Sequence, residues 1–209
     1  SLNKALKHAK GKYILRVDSD DFLLKERTKI QVNFLEINQS FDLVGTSLFV
    51  IDYENNLLGL RSIIKYSELL TKSYWKEIPI PHPSWLIKKE KLVDEYQTNL
   101  LRGQDQYFLI TKSDNLKYHV ISRPLNCYRI KNISLIHRYL GRISIIKGVF
   151  IKKNTFLLIL SVIFHILAFI RDIIYKIFKV EHKVWNVQCD KYDHQNYKNQ
   201  FKEITNKIL

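Results

Sequence analysis

The sequence predicts an α/β domain followed by a C-terminal helical region that is both apolar and basic. Three observations carry this. Helical and strand-like segments alternate from the start: Leu2, Ala5, Leu6 and Ala9 fall at helical spacing, Gly11 marks a stop, and Tyr13–Val17 is a short apolar run. Helix, tight turn and strand in succession build a sheet covered by helices. The charge is uneven. Residues 1–128 hold 19 Lys+Arg and 15 Asp+Glu, whereas residues 129–209 hold 15 and 5, so ten units of the formal net charge of +14 lie in the C-terminal part. Finally, Thr155–Ile170 is sixteen residues with one histidine and no formal charge.

Each element follows from local pattern. Tyr13–Val17, bounded by Gly11 and by aspartates, reads as a buried strand. Leu24–Asn38 reads as a helix with Leu24, Thr28, Gln31/Val32 and Leu35 along one side. Phe41–Asp52 is a strand ended by the turn-like "ENN" at 54–56. "PIPHPS" at 79–84 is excluded from regular structure, because its prolines remove donors and fix φ. Gln104–Lys112 is helical and Tyr118–Ser122 a further strand. At 46% hydrophobic residues the 209-residue chain can bury a core, as one domain or one domain with an appendage. Cys127 and Cys189 offer neither metal spacing nor a disulfide framework, which fits a reducing compartment. Ser1–Gly11 is polar and basic, unlike a signal peptide.

The chemistry concentrates in "YILRVDSDDFL", residues 13–23, where an apolar run ends in Asp18, Asp20 and Asp21. A calcium loop is excluded, because Phe22 and Leu23 stand where an oxygen ligand and a glycine are needed. A dehalogenase-type phosphotransferase fits poorly, since Phe22 replaces the small residue expected after Asp-x-Asp and Arg16 interrupts the apolar strand. The third chemistry is Asp-x-Asp in a nucleotide-sugar enzyme, where hard carboxylate oxygens hold Mg²⁺ or Mn²⁺ against a diphosphate. The plain structural alternative is a solvated turn in which Asp20 or Asp21 caps the helix starting near Leu24.

The surroundings select among these. "ALKHAKGKYILRVDSDDFLLKERTKIQVNFLEINQSFDLVGT" resembles the second half of the nucleotide-binding domain of family 2 glycosyltransferases, with the GT-A fold. The resemblance runs over residues 1–52 in order and spacing. It continues through "HPSWLIKKE" (82–90), "GQDQYFLITKS" (103–113) and "PLNCYRIKNISL" (124–135). It implies a partial GT-A, Rossmann-like mixed sheet flanked by helices over residues 1–135, then a basic, membrane-associating helical region over 136–209. The family's opening strand, helix and strand would precede Ser1, so the resemblance implies a portion of a longer protein.

Carried over position by position, Asp18 lies near the nucleotide ribose, and Asp20 holds the metal on the diphosphate. Asp105 stands for the base that deprotonates the acceptor hydroxyl; a helix cap is the alternative for it. His82 and Arg102 become donor- or acceptor-binding residues, with an ordinary surface role as the alternative. Asp21 is the trailing aspartate, with capping as its role. The family's Glu before the base is Gln104 here, and no Gln-x-x-Arg-Trp occurs, so nothing supports a processive synthase. The resemblance thus implies inverting, metal-dependent transfer from a nucleotide-diphosphate sugar to a glycan or lipid-linked acceptor in polysaccharide or glycoconjugate synthesis.

Residues 129–153 hold seven basic and no acidic side chains and lead into the apolar run. As a helix that run extends only about 24 Å, short of a hydrocarbon core of about 30 Å. This favours attachment at the cytoplasmic membrane surface, peripheral or re-entrant, over a single span through 155–173; the plain alternative is a helix that packs on the domain. The rival reading of the whole chain is a non-catalytic basic membrane-surface module or an inactive fragment. No nucleic-acid partner is expected, because aromatics interleaved with basic residues are too sparse for a stacking platform.

Overall fold

The computed structural model describes residues 2–61, 74–76, 78, 80–92, 96–130, 134–178, 199 and 201–202. Pro79, Lys131 and the tail residues Lys179, Lys183, Trp185 and Cys189 lie outside them. Among the described residues the elements are α1 (Leu2–His8), β1 (Tyr13–Leu15), β2 (Phe22–Leu23), α2 (Arg27–Ile37), β3 (Leu43–Ile51) and β4 (Leu57–Arg61). After them come β5 (Leu86–Lys88), α3 (Gln104–Lys112), β6 (Tyr118–Arg129), α4 (Leu135–Ile151) and α5 (Thr155–Ile177). Short 3₁₀ turns at His82–Ser84 and Lys89–Leu92 flank β5.

The sheet is mixed, in the order β1-β5-β3-β6-β2. All nine residues of β3 are buried, Thr46 and Ser47 among them, as a central strand covered on both faces requires. β3 runs parallel to β6 along its whole length and antiparallel to β5 at its start and to β4 at its end. Helix α2 covers one face through Leu35, Val44 and Leu86, with Tyr13 and Leu15 alongside. Helices α3 and α4 cover the other, where Trp85, Phe108, Leu109, Tyr118, Ile145 and Val149 form the main core. This is the expected mixed sheet with flanking helices.

Several boundaries differ from the sequence pattern. β1 is three residues long, half-buried and at the sheet edge, because only β5 pairs with it. β6 runs twelve residues to Arg129 rather than five, its apolar segment 124–128 burying against β3. Pro124 is accommodated within it where the β3–β6 register shifts. The "ENN" turn closes a hairpin into β4, with Asn55 at φ 66°. Neither Asp20 nor Asp21 caps α2, whose cap position is Glu26. Asp21 Oδ1 instead accepts the backbone N–H of Arg129 at 3.0 Å, pinning the acidic turn to the end of β6.

A buried polar stitch on α2 joins three separate segments. Arg27, 0% exposed, donates Nε to Gln31 at 2.8 Å and Nη2 to the carbonyls of Arg16 and Trp85. Gln31, equally buried, donates Nε2 to the carbonyls of Val44 and Ser84, both at 2.9 Å. Burial pulls the Arg27 guanidinium down to about 10, still charged at neutral pH. Gln31→Leu is therefore expected to cost about 2–4 kcal/mol, because it removes the partner of Arg27 Nε and the Gln31 donor to the Val44 and Ser84 carbonyls. A urea midpoint shift of matching size, without a change in slope, would confirm it.

Burial also pushes the Asp21 carboxyl up to about 6; the Arg129 N–H opposes this, and Asp18 and Asp20 add to it. The folded chain thus holds a proton that the unfolded chain releases near 3.8. The stabilisation is full below about pH 4 and is lost as pH rises through 6. Asp21→Asn keeps the acceptor for Arg129 and removes the ionisation. It is expected to raise Tm at pH 7.5 by about 2–4 °C, ~1 kcal/mol after solvent screening, and to leave Tm at pH 4 unchanged. Thermal unfolding at the two pH values reads the difference.

Candidate active site

A cleft of about 480 Å³ opens where the end of β1, the 80–83 loop and the start of α3 converge. Asp18, His82, Arg102 and Asp105, from four separate stretches of sequence, all line it. Asp20 does not: its half-buried side chain follows Asp18 in the turn, and its carbonyl accepts Arg129 Nε at 3.1 Å. Sequence reasoning missed Arg16, Arg61 and Tyr128, which also line the cleft. Arg16 was legible as a charge inside an apolar strand; Arg61 and Tyr128 end strands whose pairing no local pattern reveals.

The Asp18 side of the cleft is built on the sheet. Arg16 continues the β1 pairing by donating its backbone N–H to Trp85 at 2.9 Å. Its guanidinium then holds Asp18 Oδ1 at 2.6 Å and also donates to the Val17 carbonyl. This pair fixes the carboxylate where the strand ends and leaves Asp18 Oδ2 as an acceptor outside that contact. Opposite stands His82, whose Nε2 lies 2.9 Å from the Tyr96 hydroxyl and whose ring packs edge-on against Trp85. Burial, helped by Arg16, pushes His82 down to about 3, so it is neutral at working pH. The ring is half-buried and partnered, which does not match the surface-histidine alternative.

Gly45 explains how the His82 loop comes so close. A Cβ there would sit 2.6 Å from Ile80 Cγ2 and 3.2 Å from Ser84 Oγ. The loop then closes on itself through Ser84 N–H to the Pro81 carbonyl and Trp85 N–H to that of His82.

The Asp105 side is built on helices. Gly103, at φ 70°, takes the cap position of α3, and no side chain caps the helix. Asp105 is therefore in the first turn rather than the cap, where unpaired N–H groups favour negative charge. A Cβ on Gly103 would come within 3.0 Å of the Gly141 carbonyl, so α4 abuts the start of α3. Ser144 Oγ on α4 donates to the Arg102 carbonyl at 2.5 Å, fixing the rim beside Asp105. Gln104 donates to the carbonyls of Leu100 and Gln97, at 2.8 and 3.2 Å. An ionised glutamate has no donor for those carbonyls, so the glutamine at this position serves to hold the 97–100 turn.

Among the described residues no three His, Cys, Asp or Glu side chains gather into a metal site. The acidic turn offers carboxylate oxygens of the kind a hard divalent cation takes, with Asp18 in the cleft and Asp20 outside its lining. Mg²⁺ is commonly held by one or two carboxylates, with substrate phosphates and water completing the shell.

The family model "Glycosyl transferase family 2" matches residues 1–101. An uncharacterized glycosyltransferase of Methanocaldococcus jannaschii is 35% identical over 147 residues, covering 69% of this chain and 50% of that protein. EpsE of Bacillus subtilis, which carries a glycosyltransferase name, is 46% identical over 52 residues, 25% of this chain and 19% of its own. The chain thus spans half the length of the first relative and about a fifth of the second. The match covers the acidic turn, the α2 stitch, β3 with Gly45 and the His82 loop, and on these grounds residues 1–101 belong to glycosyl transferase family 2.

Proposed function

We propose that this chain carries part of an inverting, non-processive glycosyltransferase, with donor-side and acceptor-side residues in one cleft. The observation that supports it is one cleft lined by Asp18, His82, Arg102 and Asp105. In this reading Asp18 engages the nucleotide ribose. Asp20, with Asp18 beside it, holds Mg²⁺ or Mn²⁺ on the donor diphosphate, where the cation supplies charge neutralisation for the leaving group. Arg16 and Arg102 add fixed positive charge along the cleft, and neutral His82 offers a hydrogen bond to a phosphate or acceptor oxygen.

Asp105 takes the proton of the acceptor hydroxyl. The acceptor oxygen bonds to the anomeric carbon while the bond from that carbon to the phosphate oxygen breaks. The nucleoside diphosphate leaves with the electron pair. One base and one displacement give inversion. The acceptor is a glycan or lipid-linked sugar of polysaccharide or glycoconjugate synthesis. Transfer takes place on the cytoplasmic side of the membrane, where nucleotide sugars are made.

In the intact protein, Asp105→Asn is expected to lower transfer by about 10²–10⁴-fold while calorimetric donor affinity stays within about threefold, since only proton removal is lost. A matching fall in donor affinity would make Asp105 structural. Asp20→Asn is expected to remove the Mn²⁺-dependent increment of nucleoside diphosphate binding; an unchanged increment would take the metal away from Asp20.

A further inference from the structure

Helix α5 is built inside out. Its buried residues are Ser161, His165, Ala168 and Asp172, three of the four polar. At 100° per residue they fall on one narrow stripe. Diametrically opposite, and exposed, stand Phe156, Ile159, Ile163, Ile166, Ile170, Ile174 and Ile177. A helix serving a water-soluble core does the reverse. Among the described residues α5 is also the one helix long and apolar enough to cross a membrane.

Contacts along its length tie α5 to the domain. Leu157 and Leu158 pack on the main core, and Phe164 meets Trp75 edge-on at 5.7 Å. Phe169 packs on Tyr139 of α4 at 5.4 Å. Asp172, 1% exposed, is held by Arg142 at 2.5 Å, Arg171 at 2.9 Å and Arg138 at 3.8 Å. Between Ser161 and Asp172 the polar stripe is buried against protein, and the apolar side opposite it is open. A helix docked lengthwise on a domain that folds around β3 cannot also stand upright through a bilayer.

The exposed charge decides what covers that side. On α4, α5 and the turn between them Lys147, Lys153, Arg171 and Lys176 are exposed, whereas the single acid, Asp172, is buried. A second copy would bring the same cations to the contact and be repelled, whereas an anionic headgroup layer complements them. From the inverted polarity, the lengthwise docking and this charge, we infer that α4 and α5 form an in-plane anchor. The outer side of α5 lies in the acyl boundary of an anionic bilayer, parallel to its surface.

The anchor also reaches the cleft. Through Ser144 and Gly141, α4 holds the rim at Arg102 and Gly103, where Leu101 is 79% exposed on the cleft edge. Resting on the glycosyltransferase reading, this rim faces an acceptor carried in the bilayer rather than one diffusing in water.

The test uses the full chain with Cys189→Ser and one added cysteine at Ile159, Ile166 or Ile174 carrying an environment-sensitive fluorophore; buried Cys127 stays in place, and the unsubstituted Cys189→Ser chain serves as the labelling blank. Vesicles of phosphatidylcholine with 30% phosphatidylglycerol, doped with quencher at shallow or deep acyl positions, are then added. The expected result is blue-shifted emission at all three sites, quenched equally and more by the shallow label, and surviving 0.5 M salt. A depth that changes steadily from 159 to 174 would mean a span and overturn the inference. So would emission unmoved by vesicles, binding lost in salt, or a stable dimer that ignores lipid. Ile163→Asn with Ile170→Asn is expected to lower vesicle binding at least tenfold and leave nucleoside diphosphate binding unchanged. None of these measurements depends on sugar transfer, so failure here and failure of the enzymatic reading are separable.

Discussion

The arrangement of the cleft depends on one buried charge. Taking a guanidinium out of water costs several kcal/mol, and Arg27 offsets this only by donating to Gln31 and to the carbonyls of Arg16 and Trp85. Gln31 passes the connection on to Val44 and Ser84. The strand that delivers Asp18, the central strand, and the loop that delivers His82 are thereby fixed to two adjacent turns of α2. A wholly apolar α2 would bury as well, but it would not specify which backbone segments meet. Four carbonyls at the ends of short or irregular segments need donors, and α2 supplies them. The polar pair buys register for segments too short to hold it through strand pairing alone.

Close backbone approach is the second constraint, and two glycines meet it. Gly45 admits the 80–84 loop against β3, and Gly103 admits α4 against the start of α3 while adopting a left-handed φ. Each lies beside a cleft residue: the first sets the depth of His82, the second the position of Asp105. The Val-Gly-Thr segment at 44–46 is thus a packing requirement transmitted to the site, although no atom of Gly45 lines the cleft.

Much of this was legible in the sequence. Gln104–Lys112 is a helix with the bounds its pattern gives, because Gly103 and the polar residues after Lys112 mark its ends. The α/β class and the central strand followed from the alternation of helical and strand-like segments and from a largely apolar stretch at 41–51. The acidic turn stood out because three carboxylates broke an apolar run. Other features depend on partners remote in sequence. The length of β6 comes from parallel pairing with β3, which tolerates Pro124 at a register shift. The edge position of β1 comes from strand order, which local pattern does not encode. Asp21 looked like a cap because it precedes a helix, yet its partner is Arg129, 108 residues away. Arg16 read as an interruption of a strand and is the residue that orients Asp18.

The two sides of the cleft have different mechanical supports, and this links chemistry to location. The Asp18 and His82 side is fixed to the sheet and α2. The Asp105 side is fixed to α3 and, through Gly103–Gly141 and Ser144–Arg102, to α4. Helix α4 has two loyalties: Ile145 and Val149 belong to the main core, while Arg138 and Arg142 grip Asp172 of α5. Breaking a buried ion pair by removing one partner costs about 3–5 kcal/mol, so the α4–α5 contact is stiff on the scale of thermal motion. A displacement of α5 must then move α4 and reach the rim at Arg102. A surface that holds α5 in place therefore also constrains where Asp105 stands relative to Asp18, and attachment and catalytic geometry are coupled through the same helix.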